Sequence, residues 1–287
     1  MRTHVHLSYV ILCEINLNKV KLNIDKVYSQ VYNLNQDNRT TRGIKIMTME
    51  SLMLQGLTKT QAAIAQGQSL FHNHKVKSIS DGMGKTERVI KRSTNVKLGK
   101  VVTKGRFKGY PIYTVTLEER ATCDSGCFHY KTCYGNNMPF ATRYKADSHL
   151  IPTMHNELIA LQKKHPNGFL VRLHILGDFF SVDYVNQWQQ WLELFPALNV
   201  YGYTERKRNT TIGKLVYAMQ GSRFMVRTSG DTTAPTMTAL SFDDDLGAAK
   251  VVSKEAFLCP VQLNRVDSCG SCGLCWQASK PVIFLTH

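Results

Sequence analysis

Seven of the eight cysteines fall in two short clusters, with the spacing of ligands to a metal ion or an iron–sulfur cluster. In chain order they are Cys123, Cys127, Cys133, Cys259, Cys269, Cys272 and Cys275. Thiols grouped this closely are hard to explain by core packing, because closely spaced thiolates can converge on one centre. Cys13 stands alone, and we interpret it as a small buried hydrophobic residue.

The C-terminal cluster predicts a closed site for four thiolates. Cys269, Cys272 and Cys275 are separated by two residues each, and Cys259 precedes them. Three close thiols and one distant thiol hold a [4Fe-4S] cluster in ferredoxins. C-x-x-C pairs serve zinc equally well, so a Cys₄ zinc site is the alternative.

The first cluster, with spacing C-x3-C-x5-C, predicts an open site. Cys123, Cys127 and Cys133 have no obvious fourth thiol nearby. A four-iron cluster held by three thiolates leaves one iron open to a small molecule, and reaction chemistry needs such an open position. As the alternative, His129 or His149 completes a Cys₃His zinc site.

The elements that must position these thiols alternate between strand and helix. A strand within 109–117 leads into the first cysteine cluster. Further strands are predicted at 169–176, 199–204, 223–228 and 281–285, and helices at 155–165, 181–195 and 210–220. This order predicts an α/β fold, a partial (β/α) barrel of mainly parallel strands.

Polar side chains recur near the carboxyl ends of the predicted strands, where parallel α/β folds bind their ligands. We therefore predict a lined cavity for cofactor and substrate, with Arg172 and His174 on one face of their strand. The predicted catalytic residues are Arg172, His174, Asp178, Tyr203, Glu205 and Arg227. The predicted cofactor-binding residues are Gly177, Asp178 and Ser229. An alternative for Asp178, Glu205 and Asp231 is a divalent-ion site of a nuclease.

The charge distribution predicts a polyanionic partner. The formal net charge is +15, and residues Lys75–Lys108 contain eleven Lys and Arg but only two acidic residues. Such a stretch favours nucleic acid. The alternative is a solvated basic arm with no specific ligand.

Other classes of protein are excluded by composition. No apolar run approaches the roughly 20 residues of a membrane span, and the N-terminus lacks a convincing signal peptide. Eight cysteines without a secretion signal indicate reduced thiols in a cytoplasm. The predicted organisation is an N-terminal extension at 1–48, a basic helix and hairpin region at 49–108, the partial-barrel core at 109–235 and a cysteine-rich segment at 236–287.

The three thiols after the first strand resemble the radical S-adenosylmethionine (SAM) superfamily, although that superfamily usually spaces its triad C-x3-C-x2-C. The resemblance implies a four-iron cluster on Cys123, Cys127 and Cys133, with SAM on its open iron. It also implies contact between Gly177-Asp178 and the SAM amino group.

A second resemblance is to a phage and prophage family, gene product eighty-eight. It is carried by the blocks TLEERATC, CYGNNMPFATR, RLHILGDFFSVDYV, YGYTER and the terminal CP…C..C..CW. The blocks cover roughly residues 95–287, and they imply a phage or mobile-element origin.

These observations together predict a cytoplasmic iron–sulfur enzyme that acts on nucleic acid or a nucleic-acid-associated substrate; if the protein is phage-encoded, the compartment is the host cytoplasm. It carries one or two [4Fe-4S] clusters, with SAM as a further cofactor. Two alternatives stay open: a non-enzymatic nucleic-acid-binding protein whose fold is stabilised by zinc or by clusters, and a metal-dependent nuclease.

Overall fold

The computed structural model describes residues 76–79, 88–127, 129–130, 133–138, 140–230, 238–242, 256–277 and 280–285. The chain divides into two compact units, 1–69 and 70–287, and every described residue belongs to the second. The predicted extension at 1–48, the helical part of the predicted basic region at 49–108 and Asp231 lie outside the described residues, as do Lys75 and residues 80–87 of the basic stretch.

The strands form one large sheet and one small one. They are β1 (Val76–Lys77), β2 (Lys91–Arg92), β3 (Ile112–Thr114), β4 (Arg143–Tyr144), β5 (Phe169–Leu173), β6 (Leu198–Thr204), β7 (Phe224–Ser229), β8 (Thr238–Phe242), β9 (Phe257–Leu258) and β10 (Val282–Leu285). The large sheet has eight strands in the order β2-β3-β5-β6-β7-β8-β10-β9, and β1 pairs with β4 alone. Every pairing is parallel except the antiparallel edge pair β2–β3.

The helices lie in the crossovers and in the two cysteine segments. They are α1 (Glu119–Thr122), α2 (Leu150–Lys164), α3 (Val182–Leu194), α4 (Thr211–Ala218), α5 (Cys269–Cys272) and α6 (Leu274–Gln277), with a 3₁₀ turn at Tyr134–Asn137. Ser181 and Thr210 cap α3 and α4, because their side-chain oxygens accept hydrogen bonds from backbone amides in the first turn.

Strands β3, β5, β6, β7 and β8 follow one another in space as they do in sequence. Because crossovers between parallel strands are right-handed, this order puts their connecting helices on one face of the sheet. The packing agrees: Val171, Val200 and Val226 belong to the same core cluster as Trp188 of α3 and Leu158 of α2. Parallel α/β architecture is thus confirmed, while the described strands form an open sheet and no closed barrel.

The opposite face of the sheet, which we call the inner face, is covered by the C-terminal cysteine segment and by residues 97–110. Leu170, Tyr201 and Met225 on this face cluster with Trp276 of α6 and Phe107. The regions predicted as a basic segment, a core and a cysteine-rich segment all contribute strands to the one large sheet.

Element boundaries differ from the sequence-based prediction in two places. Helix α2 begins at Leu150 rather than 155, because Pro152 lies in its first turn, where its missing amide hydrogen costs nothing. Where the sequence predicts a hairpin leading into the strand within 109–117, the structure has a single antiparallel bridge between Val101 and Pro111. Among the described helices, none has the length and apolar character needed to cross a membrane.

Candidate functional site

The first three clustered thiols lie together at the carboxyl edge of the large sheet; we call them the triad (Cys123, Cys127 and Cys133). Helix α1 ends at Cys123, and the 3₁₀ turn follows Cys133, whose Sγ accepts a hydrogen bond from the Gly135 amide at 3.4 Å. Electrostatic repulsion acts between every pair of the three thiolates, so the three sulfurs lie near one another. The five residues between Cys127 and Cys133 therefore do not prevent them from gathering.

The triad thiols are not free nucleophiles. Burial, followed by the nearby Glu205, raises the pKa of Cys127 to about 11. Burial also raises the pKa of Cys123 and of Cys133. Since the thiolate is the reactive form of cysteine, the raised pKa values disfavour nucleophilic attack by these thiols at neutral pH, and a bound metal would favour their deprotonation.

A buried ion pair organises the loop that carries Cys133. Arg143 and Glu119 are both almost fully buried, and Arg143 Nε donates to the two carboxylate oxygens at 3.1 and 2.8 Å. The remaining guanidinium nitrogens donate to the carbonyl oxygens of Met138, Ala141 and Gly135, at 3.0, 2.8 and 2.9 Å. The loop thus wraps around one guanidinium, and this fixes the backbone beside Cys133.

Arg206 holds the start of the triad loop, around Cys123, through several hydrogen bonds. Its guanidinium donates to the Thr122 carbonyl at 2.8 Å, to the Asp124 carboxylate at 3.1 Å and to the Phe179 carbonyl at 2.7 Å. These contacts join the residues on either side of Cys123 to the ends of β5 and β6.

Asp178 is a positioning residue for the same edge. Its carboxylate accepts hydrogen bonds from the Thr204 hydroxyl at 2.7 Å, the Phe179 amide at 2.8 Å and the Glu205 amide at 2.9 Å. Burial raises the pKa of Asp178 to about 6. Gly177 before it has φ +87°, a left-handed conformation that favours glycine. The carboxylate is occupied within the protein rather than directed toward a ligand.

The C-terminal thiol group (Cys259, Cys269, Cys272 and Cys275) lies on the inner face. All four thiols line one cavity of about 10 Å³, which has room for about one water-sized atom. Electrostatic repulsion again acts between every pair. Burial, followed by Cys275, raises the pKa of Cys269 to about 12, so the Cys269 thiol is protonated at neutral pH when nothing is bound.

Three of the predicted cavity residues hold this thiol group in place. The Tyr203 hydroxyl donates to the Cys275 sulfur at 2.8 Å. The Arg227 guanidinium donates to the carbonyl oxygens of Cys275 and Lys280, both at 3.0 Å. Arg172 lies 4.5 Å from the Tyr203 ring centroid. The C-terminal segment therefore fills the inner face that the alternating polar residues predicted as a cavity for cofactor and substrate.

Comparison with known proteins concerns the central part of the chain. Residues 88–219 match the family model described as Gene product 88. This Gene product 88 segment contains the triad and the helices α2, α3 and α4, but it ends before the C-terminal thiol group. No curated protein and no solved structure matches the chain. The match supports the phage gene product resemblance, and the comparisons give no support to the radical SAM resemblance.

The predicted pairing of Arg172 with His174 on one face is wrong. His174 follows the end of β5 and turns to the helical side, where its Nε2 lies 3.1 Å from the Tyr184 hydroxyl. Burial lowers the pKa of His174 to about 3, so this ring is neutral. Arg172 instead contacts the tyrosines of the inner face.

Of the remaining predicted site residues, Glu205 and Ser229 share a lysine partner, and His149 lies apart from them at the start of α2. Glu205 pairs with Lys207 at 3.1 Å, and the Ser229 carbonyl accepts from the same ammonium at 2.7 Å. His149 is exposed at the start of α2. Within the described residues, no three His, Cys, Asp or Glu side chains are already positioned around one metal ion. This applies to the triad with His129 or His149 and to the C-terminal thiol group alike.

Sequence reasoning assigned no role in the site to the three charged residues that shape the triad loop, Glu119, Arg143 and Arg206. All three lie inside blocks that carried the family resemblance: TLEERATC, CYGNNMPFATR and YGYTER. The presence of charged residues inside these blocks could have marked them as candidates for the site. Only the fold shows that Glu119 and Arg143 are buried against each other.

Exposed cations flank the C-terminal thiol group. Residues 88–117 contain no acidic residue. We call five exposed cations of this stretch the basic strip: Lys97, Lys100, Lys104, Arg106 and Lys108. Lys97 lies close enough to Cys259 to favour its thiolate form electrostatically.

Proposed function

We propose that this chain is a phage-type iron–sulfur enzyme with two [4Fe-4S] clusters that acts on nucleic acid. One observation carries the proposal: the seven clustered thiols assemble into two groups, three at a strand edge and four around one cavity. The triad would hold the reactive cluster and the C-terminal thiol group an auxiliary one.

The chemistry of the C-terminal thiol group supports a cluster. Each thiolate of a four-iron cluster binds a different iron, so its thiols need not meet at one point as they must around a single ion. The cavity of about 10 Å³ would have to widen, with the thiols moving apart, to accept a cluster. In the described residues, the buried Tyr201 hydroxyl and the Trp276 indole Nε1 have no hydrogen-bond partner. Trp276 lines the cavity and its ring contacts that of Tyr201, so both donors suit the sulfur atoms of a cluster.

Two features of the triad support a reactive site: its position at the edge of the sheet and its three, rather than four, thiols. It lies at the carboxyl edge of a parallel sheet, where α/β enzymes bind their ligands. Three thiolates on a four-iron cluster leave one iron open to a small molecule, which supplies the position where reaction chemistry occurs. The radical SAM resemblance, with its partial-barrel fold, implies SAM as that molecule. Because the Asp178 carboxylate is occupied, other groups would have to bind the SAM amino group.

The proposed nucleic-acid partner is supported by the basic strip. Exposed Lys and Arg neutralise phosphates and release counterions, so binding should weaken steeply with salt. Binding that does not change with salt concentration would remove this part of the proposal.

The first experiment is anaerobic purification followed by assays of iron, acid-labile sulfide and zinc. Two four-iron clusters predict a brown protein with about eight irons per chain. Substitution Cys127→Ser or Cys272→Ser should each remove about half of the iron, and the Cys13→Ser control should remove none. A colourless protein containing zinc would overturn the cluster assignment. If clusters are present, reduction in the presence of SAM then tests for its cleavage.

A second candidate function is a non-enzymatic nucleic-acid-binding protein with zinc in the C-terminal thiol group. One observation favours it: the basic strip packs beside these thiols, which would have to move toward a common point to hold one ion. Zinc at about one atom per chain with salt-sensitive nucleic-acid binding, and no reaction with SAM, would establish it.

A nuclease centred on Asp178, Glu205 and Asp231 has less support. Asp178 is enclosed by three hydrogen-bond donors and Glu205 pairs with Lys207. A divalent-ion-dependent cleavage that survives Cys127→Ser and Cys272→Ser would favour the nuclease over both other functions.

A further inference from the structure

The geometry points to a coupling between the C-terminal thiol group and the basic strip: metal loading of the four thiols fixes the strip in the form that binds duplex nucleic acid. This inference rests on the proposed function and adds a regulation to it, because it makes nucleic-acid affinity depend on the metal state of one named site.

The basic strip has the chemistry of a phosphate-binding surface. Its five cations are exposed, and within the described part of the chain none of them forms a salt bridge. Phe107, the aromatic ring inside the strip, is buried against the inner face rather than available for base stacking. A cationic surface without a stacking platform contacts the phosphate backbone, which favours duplex over single-stranded nucleic acid.

The backbone of the strip is held by helix α5. The Cys269 amide donates to the Lys97 carbonyl at 2.8 Å, and the Gly270 amide donates to the Leu98 carbonyl at 3.0 Å. The Thr103 amide donates back to the Gly270 carbonyl at 3.0 Å. The approach is close enough to require glycine, since a Cβ at Gly270 would lie 2.3 Å from the Val101 carbonyl oxygen.

Helix α5 carries two of the four thiols at its ends, Cys269 and Cys272. Four residues are far too few for a helix to be stable alone, even with the capping box that Ser268 and Ser271 provide. Metal binding to buried thiols supplies folding free energy to the segment that carries them. Metal loading therefore stabilises α5, and α5 in turn fixes the strip through its three backbone hydrogen bonds.

The test measures duplex affinity of the full chain by fluorescence anisotropy with a short labelled DNA duplex of mixed sequence. We expect the metal-loaded wild type to show a log–log salt slope of about −4.5 for five phosphate contacts. Chelator-stripped wild type and Cys272→Ser should bind at least tenfold more weakly, and Cys13→Ser should bind as the loaded wild type does. Double substitution of Lys100 and Lys104 by Gln should reduce the slope by about two.

A second measurement keeps the inference open to refutation if Cys272→Ser fails to fold. Hydrogen exchange over residues 97–105 of the wild type should be faster after chelation, most clearly at the Thr103 amide. Equal duplex affinity and equal exchange in loaded and stripped protein would overturn the coupling. Tighter binding of single-stranded than of duplex DNA would overturn the assigned partner.

These outcomes are separable from those of the proposed function. Zinc in the C-terminal thiol group would remove the auxiliary cluster but leave the coupling intact, because either metal stabilises α5. Two intact clusters with metal-independent duplex binding would leave the enzyme proposal standing and remove only the coupling.

Discussion

Replacing Arg143 with Met should disable the triad while leaving the C-terminal thiol group intact. The substitution removes the two hydrogen bonds to Glu119 and the three to loop carbonyls, and it leaves a carboxylate buried without its cation. Removing one partner of a buried ion pair costs about 3–5 kcal/mol, because the other charge stays desolvated. This is a large share of the roughly 5–15 kcal/mol by which proteins are stable.

The assay is urea unfolding combined with metal analysis. With a urea dependence of roughly 2–3 kcal/mol per molar, we expect the midpoint of Arg143→Met to fall by about 1–2 M. Its iron content should fall to about half, as in Cys127→Ser, because the backbone beside Cys133 loses its support. Lys145→Met, an exposed change two residues away, is the matched control and should stay within about 0.5 kcal/mol of the wild type.

A double-mutant cycle separates the ion pair from the carbonyl contacts. Glu119→Leu combined with Arg143→Met removes the buried carboxylate that has lost its Arg143 partner, so the double variant should be at least as stable as Arg143→Met alone. Its triad should still lose metal, since Leu and Met cannot hold the loop carbonyls. An Arg143→Met protein that unfolds within about 1 kcal/mol of the wild type and keeps all its metal would refute this reasoning.

Three further predictions concern the residues around the two thiol groups. Burial raises the pKa of Asp178 to about 6, so between about pH 4 and 6 the native state binds more protons than the unfolded chain. The free energy of unfolding should therefore fall by about 2 kcal/mol as pH rises from about 4 to 6, and Asp178→Asn should lack this component of the pH profile. An equal pH dependence of unfolding in both proteins would contradict it. Tyr203→Phe removes the hydroxyl that donates to Cys275 and should weaken metal retention by the C-terminal thiol group about 10–100-fold in a chelator competition, whereas Tyr217→Phe, at a partly exposed ring, should have no effect. Arg206→Met should release the segment around Cys123, seen as faster trypsin cleavage after Arg120 and a similar loss of metal from the triad alone; unchanged cleavage would show that the Arg206 hydrogen bonds are dispensable.

The α/β architecture and the grouping of the thiols along the chain follow from local sequence patterns alone. Alternating strand and helix patterns with strong caps, such as Ser181 and Thr210, left parallel crossovers as the main solution. These signals are local, since periodicity, capping and cysteine spacing all act within a few residues along the chain.

The contacts of the polar strand residues, by contrast, depend on long-range packing that no local pattern reveals. Period-2 alternation placed Arg172, Tyr203 and Arg227 on the inner face, but it could not show that α6, some fifty or more residues later in the chain, would fill that face. His174 left the alternation because its strand had ended at Leu173, and strand ends are not defined by periodicity. The burial of Glu119 against Arg143 is likewise a long-range event, because two charges enter a core together only when the fold brings them within hydrogen-bond distance.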